Sequence, residues 1–288
     1  MLGINTNAPS LGAQMNLSKS AGSLETSIAR LSSGLRVNSA KDDAAGLAIA
    51  ERMTAQIRGF DVAARNANDG VSLLQVADGA LGKIGDNLQR MRELGVQAKN
   101  GTLNDTDRLN LNREFTELAN EVGRVATGTT FNDNNVFAAA NKSVELQIGS
   151  GNDAADTLNV NLTDDGLAGG NDLQTTLGGA TQAAIVTAFG GVDTAANAET
   201  AIDTIDTAID DITNLRATTG AGLSRLEQVV GSLETTSSNL SSARGRIMDA
   251  DFAKETANLT RSQILQQAGT AMLAQANQLP NNVLSLLR

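Results

Sequence analysis

The sequence predicts a mainly α-helical fold: a long antiparallel coiled-coil or helical-bundle rod formed by the N- and C-terminal segments, with a small central β-hairpin region. Three observations carry this. Apolar residues recur every seven positions near the start (Leu17, Leu24, Leu31, with Ala21, Ile28 and Leu35 offset by four). The same period recurs near the end, through Leu265, Met272, Leu279 and Leu286, after an earlier run of Leu226, Leu233, Leu240 and Ile247. A seven-residue repeat keeps one narrow stripe facing a partner helix. Between the two ends, residues 128 to about 195 are crowded with Gly, Asn, Asp and Thr, which break helices and favour turns.

The elements follow in order. Residues 5 to about 33 form the first predicted helix, with Ser32, Ser33 and Gly34 as its cap or hinge. The stretch from about 44 to 99 holds no proline and spaces Phe60, Ala67, Leu74, Leu81 and Leu88 by sevens, with Ile84, Met91 and Ala98 as a second stripe. At about 1.5 Å per residue it spans roughly 80 Å, which favours a coiled coil over a short globular helix. Asn100 and Gly101 end it in a turn. Asn104 and Asp105 cap a third helix to about 127, whose apolar face is Leu111, Phe115, Leu118, Val122 and Val125. The alternating runs from Ser143 to Ile148 and from Leu158 to Leu162 read as strands. A helical pattern returns from about 196 to 247, on Ile202, Ile205, Ile209 and Ile212, with Gly220 and Gly222 marking a kink or a close helix contact. The last helix runs from about 252 and is expected to stop at Pro280. Three parts result: 1–43 with 250–288 as a terminal coiled-coil core, 44–130 with 196–249 as a helical rod, and 131–195 as a β-rich surface region.

Composition narrows the function. The 288 residues include no His, Cys, Trp or Tyr, so thiol or imidazole catalysis, disulfides and a typical zinc site are excluded, and no cofactor is expected. A net charge of -10 argues against nucleic-acid binding, which needs clustered Lys and Arg. No apolar run approaches the length of a membrane span, and no membrane insertion is expected. The first residues lack the basic start and apolar run of a secretory signal, so export is expected by another route. The Gly- and Asp-rich stretch from Gly149 to Leu158 reads as a solvated acidic loop.

Specific strings add a resemblance. The run from Leu31 to Ile49 (LSSGLRVNSAKDDAAGLAI) and that from Asn66 to Leu81 (NANDGVSLLQVADGAL) resemble the N-terminal region of bacterial flagellin. Residues Ile264 to Gln278 (ILQQAGTAMLAQANQ) and Val283 to Arg288 (VLSLLR) are similar to the flagellin C-terminus. The resemblance covers residues 1 to about 130 and about 200 to 288, and the centre is shorter than in large flagellins.

The resemblance implies a non-enzymatic subunit that polymerises with itself into a helical flagellar filament for swimming motility. A hook–filament junction protein is the alternative. Terminal segments would line the central channel, long helices would form the outer tube, and the middle would face solvent. Assembly contacts would fall on Leu17, Leu24, Ile28, Leu31, Leu35, Leu265, Met272, Leu279 and Leu286. Type III export to an extracellular filament, an export chaperone, and cap and hook-junction proteins are implied as well. The run from Leu88 to Leu94 (LQRMREL) with Glu114 resembles the motif seen by the flagellin-sensing Toll-like innate immune receptor. That resemblance assigns Arg90, Leu94 and Glu114 to a patch serving both receptor and protofilament contacts, Arg90 as a planar donor and Leu94 as an apolar contact.

Overall fold

The computed structural model describes residues 7–137, 143–161 and 182–285. The helices are α1 (Ala8–Ser33), α2 (Ala44–Ala98), α3 (Asp105–Gly128), α4 (Gln182–Phe189), α5 (Ala195–Met248) and α6 (Phe252–Ser285). The strands are β1 (Thr130–Phe131), β2 (Asn134–Asn135), β3 (Ser143–Gln147) and β4 (Thr157–Asn161). Cα packing divides the chain into two compact units, with breaks between Ile57 and Arg58 and between Ser237 and Ser238. Both breaks fall inside long helices, α2 and α5. The first turns of α2 pack on the last turns of α5: Arg244 reaches Thr54 at 3.4 Å, and Gly46 lies against Ile247.

In the terminal unit, α1 starts where Asn7 Oδ1 accepts the Ser10 N–H at 3.2 Å, with Pro9 in the first turn. It ends at Gly34, whose φ of 73° is the left-handed conformation that costs glycine least. The following connector pairs with the segment after α5. Arg36 N–H donates to Met248 O, Arg36 Nη2 to Ile247 O, and Ala250 N–H to Gly34 O. The last carbonyls of α5 are thereby filled by Arg36. Asp43 Oδ1 accepts the Gly46 N–H and starts α2, and Asp251 Oδ1 accepts two N–H groups and starts α6.

α1 and α6 pack antiparallel, as the pairs Asn7–Ala276 and Arg30–Glu255 require. The expected stop at Pro280 does not occur, because α6 continues to Ser285. Proline removes one N–H and so strips the carbonyl four residues earlier of its helical donor. That carbonyl is Ala276 O, and it accepts the Asn7 Nδ2–H at 2.8 Å.

The central unit has the larger apolar core. α2 buries Ala67, Leu74, Leu81, Ile84, Leu88, Met91 and Ala98, the two stripes read from sequence. α5 answers with Ile205, Ala208, Ile212, Leu215 and Leu226, and α3 with Phe115, Ala119 and Val122. β3 and β4 form an antiparallel pair with Leu146 opposite Leu158. Glycine leaves room for close packing: a Cβ on Gly70 of α2 would meet Leu146 of the hairpin, and one on Gly222 of α5 would meet Leu74 of α2. Gly222 is therefore a close contact, while a Cβ on Gly220 would meet nothing within 4 Å. Two elements were not anticipated. α4 and the turn after it put Ile185, Phe189 and Val192 into the core, in a stretch whose composition suggested only loops and strands. Asn132 and Asp133, at φ of 50° and 62°, make the turn between β1 and β2.

Candidate functional sites

The terminal helix pair is the first candidate. Its intramolecular seam uses the expected leucine stripe on α1, but its most buried positions on α6 are small and polar. On α6 the seam is Glu255, Ser262, Gly269 and Ala276, spaced by sevens. Of these, Glu255, Ser262 and Ala276 are buried at 7%, 6% and 6% exposure. α1 faces it with buried Ser10 and Ser27 and half-buried Leu17, Leu24 and Leu31. Gly269 lets α1 approach closely, for a Cβ there would lie 3.2 Å from Leu17 Cδ1. Arg30 and Glu255 close the other end with an ion pair at 3.1 Å.

The seven-residue period recurs on α6, and the seam buried within one chain lies off the Leu265–Met272 stripe. Leu265 and Met272, three residues along from the true seam, are 50% and 62% exposed. Ile28 on α1 is 50% exposed for the same reason. Leu11, Met15 and Ile264 join them, at 60%, 67% and 60% exposure. Leu35 is half-buried in the bridge opposite Asp249. The Leu279 side chain and Leu286 lie outside the described residues.

The second candidate is the charged patch on α2 and α3. Arg90 donates from Nε and Nη2 to Glu114 Oε1, at 3.0 and 2.8 Å, and from Nη1 to Glu93 Oε2 at 2.8 Å. Hydrogen bonds to Glu93 and Glu114 raise the Arg90 pKa above its usual value. Arg90 and Glu114 remain about half exposed, with side-chain exposures of 50% and 47%. Leu94, expected as an apolar surface contact, is instead in the core at 1% exposure. It lies on the face of α2 that packs inward with Met91 and Ala98. Gly95 beside it is a packing device, since a Cβ there would meet Ile202 Cγ1 at 2.9 Å.

Next to this patch is a residue the sequence did not single out. Arg108, 9% exposed, donates to Ala98 O, Leu103 O and Asn100 O at 3.1, 2.8 and 3.0 Å. It fills the end of α2 and ties the turn into α3. No periodicity marks such a residue. The one signal was an arginine in the first turn after the Asn104 cap, placed to reach back across the turn. Asn112 works similarly, accepting the Val192 N–H on Oδ1 at 2.7 Å and fixing the return after α4.

Among the described residues, no group of three or more acidic side chains is placed to hold a metal ion, and no helix is long and apolar enough to cross a membrane. A cleft of about 350 Å³ lies between α2 and the two hairpins, lined by Leu73, Phe131, Val136 and Leu146 with Asp69 at its edge.

The class this defines is a mainly helical protein whose two terminal segments pair with each other. The family model described as the bacterial flagellin N-terminal helical region matches residues 4–142, and that of the flagellin C-terminal helical region matches 202–287. The chain is 42% identical over 287 residues to a flagellin of Halalkalibacterium halodurans, covering 99% of each. It is also 42% identical over 314 residues to a flagellin of Xenorhabdus nematophila, again covering 99% of each. A solved structure of a putative flagellar hook-associated protein from Vibrio parahaemolyticus shares the fold, with a TM-score of 0.57, 14% identity, and coverage of 72% of this chain and 100% of that one. The chain belongs to the bacterial flagellin family, as a short form. Flagellins are exported structural subunits that self-polymerise into the flagellar filament, and the family is not one of enzymes.

Proposed function

We propose that this flagellin assembles through the outward face of its terminal helix pair. The observation that carries the reading is the inverted phase of α6. Small and polar residues take the most buried positions of the intramolecular seam, while Ile264, Leu265 and Met272 on α6, with Leu11, Met15 and Ile28 on α1, stay uncovered. Soluble proteins rarely leave such patches open unless a partner covers them. Copies of the same chain are the partner the family supplies, and contacts that do not close on themselves build a helical tube. Leu17, Leu24 and Leu31 then hold the pair together, and the exposed residues meet neighbouring subunits.

In this reading residues 1–43 with 250–288 form the inner wall, 44–130 with 196–249 the outer tube, and 131–195 the surface. Before assembly the same uncovered stripe of α6 is the natural target of an export chaperone, and cap and hook-junction proteins meet the filament at its ends. End-to-end similarity to flagellins supports the filament subunit over the junction protein.

The test is the full-length double variant Leu265→Asp/Met272→Asp. Both positions are at least half exposed, so the isolated chain keeps its helical circular dichroism, while negative-stain microscopy finds no filaments. Normal filaments from this variant would refute the reading.

We also propose receptor recognition at Arg90 and Glu114, without direct contact from Leu94. The supporting observation is an exposed guanidinium already held in a fixed plane by Glu93 and Glu114. A pre-ordered planar donor loses little entropy on binding. Purified monomer should activate receptor-bearing reporter cells, with a markedly weaker response from Arg90→Ala. No response to the parent monomer at saturating dose would sink this part.

A further inference from the structure

The large apolar side chains of the terminal seam, Leu17, Leu24 and Leu31 on α1 with Leu259 and Leu273 on α6, are only half-buried and repeat by sevens, and such a seam specifies its register weakly. A slip of one heptad moves one helix by about 10 Å along the other and still places leucines opposite small residues. Something else must select the pairing. Three polar contacts lie on one register: Asn7 Nδ2 to Ala276 O at 2.8 Å, Ser10 Oγ to Asn277 Oδ1 at 2.8 Å, and Arg30 Nη1 to Glu255 Oε1 at 3.1 Å. A one-heptad slip breaks all three together.

The Asn7 contact differs in kind from the other two. Pro280 has no N–H, so the Ala276 carbonyl has lost the donor that every ordinary helix position provides. It is the acceptor inside α6 that the helix itself cannot fill. Asn7 is also the N-cap of α1: its Oδ1 accepts the Ser10 N–H while its Nδ2 donates to Ala276. One amide thus starts one helix with its oxygen and fills the gap in the other with its nitrogen, two separate atoms for the two tasks. In any slipped register the α1 cap survives, but Ala276 O loses the Asn7 donor. Ala276 is 6% exposed, so water reaches the site poorly and the missing bond is felt.

We propose that Asn7 and Pro280 form a matched register lock, in which the proline creates a single vacant acceptor on α6 and Asn7 is the residue that fills it. The lock goes beyond subunit assembly and does not depend on it, because it acts within one chain.

The chain has no cysteine, so an engineered pair reports register cleanly. A Cβ on Gly269 would lie 3.8 Å from Leu17 Cβ. Disulfides need a Cβ separation of about 3.5–4.5 Å, so Leu17→Cys/Gly269→Cys closes only in the observed register. The full chain carrying this pair is oxidised at high dilution, and the rate of intramolecular crosslinking is read by gel mobility. Asn7→Asp keeps an oxygen for the cap and removes the donor. It should slow crosslinking about five- to tenfold, the effect of one buried bond left unmade. Adding Pro280→Ala restores a helical N–H to Ala276 O and should bring the rate back to within about twofold of the parent. Asn7→Ala, which loses cap and donor, should be slowed further and only partly rescued by Pro280→Ala. Equal rates for Asn7→Asp and the parent overturn the proposal. So does an Asn7→Asp defect that Pro280→Ala leaves unchanged.

Discussion

Replacing Arg108 with Met should destabilise the central unit by about 2–4 kcal/mol. Its guanidinium serves three carbonyls, at the end of α2 and in the turn that follows. Hydrogen bonds from a charged donor contribute about 1.5–3 kcal/mol each when taken singly. The three do not add, because Asn100 is exposed and Leu103 half-buried, so their carbonyls regain water. Ala98 is fully buried, and its carbonyl is stranded, at a cost of about 1–3 kcal/mol. Loss of a cation from the C-terminal end of a helix adds about 0.3–1 kcal/mol. Met keeps the apolar stem of the side chain, so packing loss contributes little. Arg108→Lys keeps the charge, but one ammonium cannot span three acceptors as a planar fork does, and it should recover less than half of the loss. Urea unfolding of the full chain gives the magnitude. Hydrogen exchange gives the place, with protection lost first at residues 96–103. The salt-bridge partner Asp105 is fully exposed and 3.8 Å away, so Asp105→Asn should change stability by less than about 0.5 kcal/mol. An Arg108→Met variant within about 0.5 kcal/mol of the parent would refute the capping role.

Other expectations rest on the same geometry. A Cβ on Gly59 would lie 2.6 Å from Ser150 Cβ and 3.1 Å from its Cα, so Gly59→Ala should push the β3–β4 loop off α2 and raise its exchange rate. Gly79, exposed and with nothing within 4 Å of an added Cβ, is the control: Gly79→Ala should stabilise the isolated chain by about 0.5–1 kcal/mol in urea. The exposed pairs Arg92–Asp206, Lys99–Glu199 and Arg216–Asp78 join α2 and the residue just after it to α5, and double-mutant cycles on each should give no more than about 1 kcal/mol. Asp42 has its pKa lowered by the Ser39 hydroxyl and by the N–H groups of Asn38 and Ser39. Its contribution to the α1–α2 connector is therefore present above the unfolded carboxylate range of about 4 and is lost as pH falls through the lower folded value. Asp42→Asn should flatten the acid dependence of amide exchange at residues 38–39, and an unchanged profile would count against the carboxylate.

How much of the molecule could be read in advance depends on which partner each stripe serves. On α2 the seven-residue stripe through Ala67, Leu74, Leu81 and Leu88 is buried within the chain, so hydropathy picked both its period and its phase. On α6 the apolar heptad stripe and the seam buried within the chain share a period but differ in phase. The most buried line is Glu255, Ser262, Gly269 and Ala276, suited to close approach and polar pairing, while Ile264, Leu265 and Met272 point away from it. A sequence pattern reports that a face is to be buried, not by whom. The same limit explains Leu94, where the family motif suggested a surface contact and the α2 core claimed the side chain. Arg108, Asn112 and Asn7 were invisible for a different reason. Each acts by filling a backbone group across a turn or on another helix, and that need exists only once the fold brings the two together. Pro280 shows the point most sharply. Alone it reads as a helix stop, yet with Asn7 beside Ala276 O the missing hydrogen bond has a donor and the helix continues. Where a local rule fails in this chain, the compensating group is a side chain far away in sequence, and the pairing of the two ends supplies it.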